Sequence, residues 1–259
     1  MSLRVLVTRP QAQASTTVAA LENMGHKVLC LPCLEIVAVS PDSKQAVHSK
    51  YLAMDLDAYA HVIVVSTNAA AGFLPLAEDY WPQWPAAQTW WGMGVTTQAA
   101  LIAAQLPQVM RPSGGDTSEA LLENLLPVLN AGDKVLIVRG VGGREILANA
   151  LRERGAKVDY AECYLRQLPT ISSQNRQQLQ QFSPQVVVTQ SGDTLRNFDL
   201  AYGDCVLHWS ADWQLLLPSE RVLTMAQQMG YQQCLLSAGA SDQAICHTLS
   251  RYEARLAKQ

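Results

Sequence analysis

Apolar and polar positions along this chain follow a pattern that occurs twice. Val5–Thr8 is a short β-rich run, Gln11–Met24 carries apolar residues at helical spacing (Ala14, Val18, Leu21), and Gly25 is a natural helix stop before a second β-rich run, Lys27–Leu31. This spacing predicts strand, helix, strand. The order returns as strand Val135–Val138, helix near Arg144–Arg154, stop at Gly155 and strand Lys157–Tyr160. Arg4–Leu34 (unit A) aligns without a gap on Lys134–Tyr164 (unit A′), setting Arg9 on Arg139, Gly25 on Gly155 and Leu34 on Tyr164. Strand, helix and strand of this length form a right-handed parallel βαβ unit.

A second pattern also recurs. In unit B, strand His61–Val65 ends in Ser66-Thr67-Asn68 and opens helix Ala69–Leu76. Strand Thr89–Trp91 leads through Gly92-Met93-Gly94 to Thr96-Thr97 and helix Gln98–Gln105, and strand Gln108–Met110 leads to helix Thr117–Leu126. In unit B′ the order is strand Gln185–Val188, turn Thr189–Gly192, a helix to Phe198, strand Gln214–Leu217, Ser219 with helix Glu220–Met229, strand Gln233–Leu236, and a last helix from Ser241-Asp242 to about Arg255. Aligning Val62–Phe73 on Val186–Arg196 sets Ser66 on Thr189, Asn68 on Ser191 and Thr96 on Ser219. Repetition of this kind decides architecture. One A with one B makes five parallel strands with helices between them, so the expected fold class is α/β, two flavodoxin-like parallel-sheet domains. Periodicity leaves two pairings open: tandem, with A+B then A′+B′, or nested, with A+B′ enclosing B+A′. The similar extended joins after Leu34 and Tyr164 would suit two crossovers side by side, as nesting requires.

Composition narrows the function classes. Charged residues are 16% of 259, below the usual quarter, so much of the chain should be buried. A net charge of −3 gives no basic face for nucleic acid. No stretch approaches the ~18 apolar residues of a membrane span, and Val5–Val7 is too short for a signal peptide. Six cysteines are then expected reduced. Cys30-Leu-Pro-Cys33 has redox spacing but follows a second strand instead of opening a helix, which favours two packed hydrophobes. There is no HExxH, GxSxG or Cys/His metal spacing, and Glu145 stands where a dinucleotide loop beginning Gly140-Val-Gly142 needs its third glycine. A protein without metal or cofactor is expected.

Candidate chemistry lies at the strand ends. Thr8, Ser66, Asn68, Thr96, Thr97, Thr189, Ser191 and Ser219 stand at the first turns of helices, on the carboxyl edge where parallel sheets bind ligands. Free N–H groups there suit carboxylates or phosphates. At any single turn the ordinary reading is a helix cap contributing ~1 kcal/mol. Gathered on facing edges of two domains, such turns make a cradle for a polyanion. Arg9, Arg139 and Arg144 follow strand ends and could pair with an anion or hold their own domain together. Tyr164 stands where unit A has Leu34, and is either a packed ring with a wetted hydroxyl or a proton donor. The Trp81–Trp91 cluster reads as loop packing.

VLVTRP at the start, VSTNA (Val65–Ala69), Gly94 with Thr96-Thr97, RPSGGDTSEAL, VLIVRGVGGREIL with a following AECY, and ASDQAICHTL together resemble the uroporphyrinogen-III synthase family over almost the whole chain. The resemblance implies the nested arrangement: domain 1 over residues 1–35 and 170–259, domain 2 over 36–169, crossovers near 35–41 and 165–171 forming a two-stranded linker, and an active site in the cleft. It implies a cytoplasmic, monomeric lyase that uses no cofactor and closes hydroxymethylbilane into uroporphyrinogen III, losing water and inverting ring D through a spiro intermediate. Transient contact with the enzyme that supplies this substrate stays open as an expectation. By motif match Tyr164 is the candidate proton donor to the leaving hydroxyl. Ser66, Thr96 or Thr97 and Thr189 match cleft positions, and Arg9, Arg139 and Arg144 are candidate carboxylate partners. The chain departs from the family at Leu217-Pro218-Ser219-Glu220, where Gly-Pro-Thr-Thr is frequent, and Cys205–Trp213 has no counterpart. The alternatives are a non-catalytic two-domain protein closing on a small anion, and a nucleotide-dependent enzyme using Gly140–Gly143.

Overall fold

The computed structural model describes residues 2–206 and 213–257, so most of the Cys205–Trp213 segment lies outside the described residues. The chain runs β1 (Arg4–Val7), α1 (Gln11–Asn23), β2 (Lys27–Cys30), β3 (Glu35–Ala38), α2 (Lys44–Met54), β4 (His61–Val64), α3 (Thr67–Glu78), β5 (Thr89–Gly92), α4 (Val95–Ala103), β6 (Val109–Met110) and α5 (Ser118–Leu125). It continues β7 (Lys134–Gly140), α6 (Ile146–Glu153), β8 (Lys157–Gln167), α7 (Ser173–Phe182), β9 (Val186–Val188), α8 (Gly192–Val206), β10 (Gln214–Leu217), α9 (Glu220–Gln228), β11 (Cys234–Leu236) and α10 (Asp242–Leu256). Two compact units result: residues 1–35 with 167–259, and residues 36–166.

The first unit holds the sheet β11-β10-β9-β1-β2, and the second β3-β8-β7-β4-β5-β6. Unit A (β1, β2) therefore pairs with B′, and A′ (β7, β8) with B, which is the nested alternative. Strands this apolar suit parallel sheets covered on both faces. Alternation divides them cleanly. In the first unit Leu6, Val187 and Leu215 pack on one face while Val5, Val186 and Leu216 pack on the other. In the second, Val62, Leu136 and Trp90 oppose Ile63, Val135 and Trp91. α1 and α6 stop at Gly25 (φ 84°) and Gly155 (φ 86°), left-handed positions that a Cβ would strain.

Ladder register corrects the alignment of B on B′. Val5 faces Val186 as Val135 faces His61. Val186 and His61 face Gln214 and Thr89. Cys234 and Val109 then face Leu215 and Trp90. His61 therefore stands on Val186, Thr89 on Gln214 and Val109 on Cys234, a constant shift of 125 residues. Ser66 corresponds to Ser191, not Thr189, and Gly94 corresponds to Ser219. Sequence alone slid by two residues at Ser66 because the apolar runs VIVV and VVV carry no marker of phase.

Four elements differ from the sequence expectation. β8 runs to Gln167 rather than Tyr160, and α8 to Val206 rather than Phe198. Helices α2 and α7 follow the two extended joins, in stretches where the sequence pattern predicted no element. α7 is polar and buries only Leu179. The two helix starts are fixed by Ser43, which accepts the Ala46 N–H, and by a capping box at Ser172 and Asn175.

Candidate functional site

The second unit concentrates its chemistry where β7 and β8 end. Their parallel register is regular to Arg139 opposite Glu162, then shifts so that Gly140 faces Tyr164. Such a bulge re-aims a side chain. Cys163 and Tyr164, consecutive in a strand, both enter the same apolar cluster. The Tyr164 residue is only 2% exposed. Its ring lies against Gly140 so closely that a Cβ there would stand 2.6 Å from the ring. Gly72 on α3 gives similar room, since its Cβ would lie 2.7 Å from that of Cys163. The Tyr164 hydroxyl sits 3.2 Å from Ser66 Oγ and accepts an N–H from Arg166 Nη2 at 2.8 Å. The Arg166 guanidinium lies 5.2 Å from the Tyr164 ring centre.

Arg139 is 6% exposed and already committed. Its guanidinium donates to the carbonyls of Gly140 and Gly142, pairs with Glu145 at 3.2 Å and covers the Tyr160 ring. Glu145 is held below the usual carboxylate range first by the Tyr160 hydroxyl and then by Arg139. This network fixes the loop between β7 and α6. Arg144 is exposed in that loop, two residues before α6 begins at Ile146, so it is not the helix-start residue expected. Among the described residues it has no carboxylate within pairing distance. A concavity of about 170 Å³ is lined by Val65, Arg139, Gly142, Arg144, Leu147 and Arg166.

The Ser/Thr turns divide into caps and open starts. Ser66 accepts the Ala69 N–H of α3, and Ser191 accepts the Thr194 N–H of α8. Those two hydroxyls fill the ordinary capping role. α4 and α9 differ: Gly94 and Ser219 precede them with no side-chain cap bond. Thr96 is exposed in the first turn of α4, Thr97 is buried, and the first N–H groups of both helices lack a capping side chain. Asn68 is half-buried in the first turn of α3.

In the first unit, Thr8 is fully buried and donates to the Val188 carbonyl at 2.7 Å, tying β1 to β9. Arg9 donates to Thr17 and pairs with Asp242 at 3.1 Å, joining α1 to α10. Its guanidinium therefore braces its own unit. Thr189 is 1% exposed and its hydroxyl has no partner among the described residues, nor have the amide of neighbouring Gln190 and the hydroxyl of buried Ser237.

Arg166, Gln190, Ser237 and Gly72 did not stand out in the sequence, and Gly140 did so only as part of a dinucleotide-loop pattern. Arg166 carried a readable signal: two residues beyond Tyr164 on a strand, it shares that side chain's face. Among the described residues no three of His, Cys, Asp or Glu gather to hold a metal ion, and no helix is long and apolar enough to cross a membrane. Cys30 and Cys33 are free, with both thiols pushed up by burial, the reverse of what a reactive pair needs. The tryptophans pack their loop: Trp81 donates to the Ala53 carbonyl and Trp84 to that of Ala104.

Comparison with known proteins gives the family and the fold. The family model described as "Uroporphyrinogen-III synthase HemD" matches residues 15–246. A uroporphyrinogen-III synthase of Escherichia coli K12 is 29% identical over 95% of this chain and 100% of its own length. One from Salmonella typhimurium LT2 is 30% identical over the same shares. Among solved structures, a uroporphyrinogen-III synthetase from Helicobacter pylori superposes with a TM-score of 0.62 at 14% identity, covering 97% of this chain and 99% of that one. A uroporphyrinogen III synthase from Thermus thermophilus gives 0.61 at 14%, with 100% of both chains covered. These two likenesses speak for the fold, and the sequence matches speak for kinship. The chain belongs to the uroporphyrinogen-III synthase family.

Proposed function

We propose that this chain closes linear hydroxymethylbilane into uroporphyrinogen III, as a cyclising hydro-lyase of heme biosynthesis, with Tyr164 as the proton donor. Family membership supports the reaction. The observation that carries the residue assignment is the Tyr164 hydroxyl set between Ser66 Oγ and Arg166 Nη2 at the sheet's carboxyl edge.

The chemistry has four parts. Tyr164 gives its proton to the leaving hydroxyl, the C–O bond breaks, water departs and ring A becomes an azafulvene cation. A tyrosine phenol is among the side chains that serve as general acids. Ring D then attacks through its substituted carbon to form the spiro intermediate, which breaks and re-closes with the ring turned over. The ring proton lost on re-closure returns to the phenolate or to water, so the sum is loss of one water. Spontaneous closure gives the unturned isomer, so the protein's main task is to hold the chain in the spiro-forming pose.

The substrate bears acetate and propionate on every pyrrole. Two uncapped helix starts, α4 with Thr96 and Thr97 and α9 with Ser219, supply backbone N–H groups for carboxylates despite the acidic net charge. Arg144, exposed and without a carboxylate partner among the described residues, is the arginine best placed to add a charge. Thr189, with a buried unpartnered hydroxyl, is a further candidate. Ser66 and Asn68 stand after β4 in the second unit and Ser191 after β9 in the first, while Thr8, Arg9 and Arg139 hold the frame. The resemblance also supports a cytoplasmic monomer.

The test is to supply freshly generated hydroxymethylbilane and resolve the product isomers. Isomer III above the spontaneous rate is expected. Isomer I alone, at the spontaneous rate, would leave the non-catalytic anion-binding protein in its place.

A further inference from the structure

We infer that Arg166 is a positioning residue for the reaction. It holds the Tyr164 hydroxyl and stabilises the negative charge that forms there as the proton leaves. This rests on the synthase reading above. Arginine can only donate, so the 2.8 Å bond from Nη2 uses a lone pair of the phenol oxygen. The phenol's own proton is then directed elsewhere, toward Ser66 Oγ or the leaving group. Ser66 Oγ already accepts the Ala69 N–H, so it is fixed in place by the helix it caps.

As the O–H bond breaks, the Arg166–Tyr164 contact changes from a hydrogen bond to a neutral phenol into a charge-assisted bond to phenolate. It is therefore stronger in the transition state than in the ground state, the condition for accelerating a step rather than merely binding. The guanidinium is not consumed elsewhere: among the described residues no carboxylate lies within pairing distance of it. The bulge at Gly140 is the second element of the device. With the register shifted, Tyr164 turns into the core, yet Arg166 still reaches its hydroxyl from the exposed end of β8.

Kinetics of Arg166→Gln, Arg166→Lys, Tyr164→Phe and the Gln/Phe double variant, with isomer III resolved, decide the matter. Loss of one charge-assisted bond is expected to lower the kcat of Arg166→Gln on the order of tenfold or more, with KM within about twofold. Arg166→Lys, which keeps one charged donor, should recover much of that loss. In the Tyr164→Phe background, Arg166→Gln should cost nothing further, because the oxygen it serves is gone. A raised KM at unchanged kcat would overturn the inference and make Arg166 a carboxylate ligand. An equal loss with and without the Tyr164 hydroxyl would overturn it as well. If the unaltered chain forms no isomer III, the synthase reading itself fails, a result separate from any of these.

Discussion

The two copies of the strand–helix–strand unit share one frame and differ in what they enclose. β1 and β2 pair Arg4 with Lys27, and β7 and β8 pair Lys134 with Lys157, the same register 130 residues on. Cys33 and Cys163 correspond, both buried, each thiol directed to the carbonyl two residues back. Beyond that point the copies part. The first places Leu34 where the second places Tyr164. Pro10 stands at the place of Gly140. Asn197, which donates to the Cys33 carbonyl at 2.7 Å, stands at the place of Gly72. The second copy has glycines against both residues of β8's bulge, Gly140 at Tyr164 and Gly72 at Cys163. The two frames thus differ here by two glycines and one tyrosine.

That contrast can be broken first at the ring. Tyr164→Leu gives the second copy the first copy's residue and should lower isomer III formation on the order of 100-fold, the usual contribution of a placed acid; near-normal turnover would show that the two copies are equivalent for catalysis. Gly140→Ala comes next. Its Cβ, 2.6 Å from the Tyr164 ring, should cost about 1–3 kcal/mol of stability in urea unfolding and reduce turnover with it. Gly72→Ala should cost a similar amount through Cys163, whereas Asn197→Ala in the other copy should cost about 1 kcal/mol for one lost hydrogen bond and leave turnover intact. Arg9→Gln, breaking the part-exposed pair with Asp242, should cost up to about 1 kcal/mol with KM unchanged; a raised KM would return Arg9 to the substrate.

The smallest effect concerns pH. Glu145 is held below the usual carboxylate range in the folded chain by Tyr160 and Arg139. A depressed folded pKa means that its stabilisation is fully present above the ordinary carboxylate pKa and is lost as pH falls through the depressed one. Because Glu145 is half exposed, the effect is screened. Glu145→Gln should flatten part of the acid-side loss of stability in thermal scans from neutral pH downward, and an unchanged acid slope would remove Glu145 from the loop's support.

The fold was largely legible because the strands are apolar runs and the helix stops are glycines, both local signals. The register of B on B′ was not, because VIVV against VVV carries no marker of phase; only the ladders with β7 and β1 set it. The length of β8 was hidden by Glu162 and Arg166, polar residues beyond Tyr160 that end a strand on hydropathy alone. Among the site candidates, Tyr164 stood out in the sequence by its contrast with Leu34, while the commitments of Thr8, Arg9 and Arg139 were not legible. Whether a hydroxyl or guanidinium is free depends on Val188, Asp242 and Glu145, and the first two are distant in sequence.

The most direct test is single-turnover conversion of freshly made hydroxymethylbilane by the unaltered chain and by Tyr164→Phe, with isomers I and III separated and both proteins shown to be equally folded. If the second copy was opened to seat an acid, the unaltered chain makes isomer III and Tyr164→Phe makes it on the order of 100-fold more slowly. Equal rates of isomer III from the two proteins would contradict that, and would reduce Tyr164 to a packed ring.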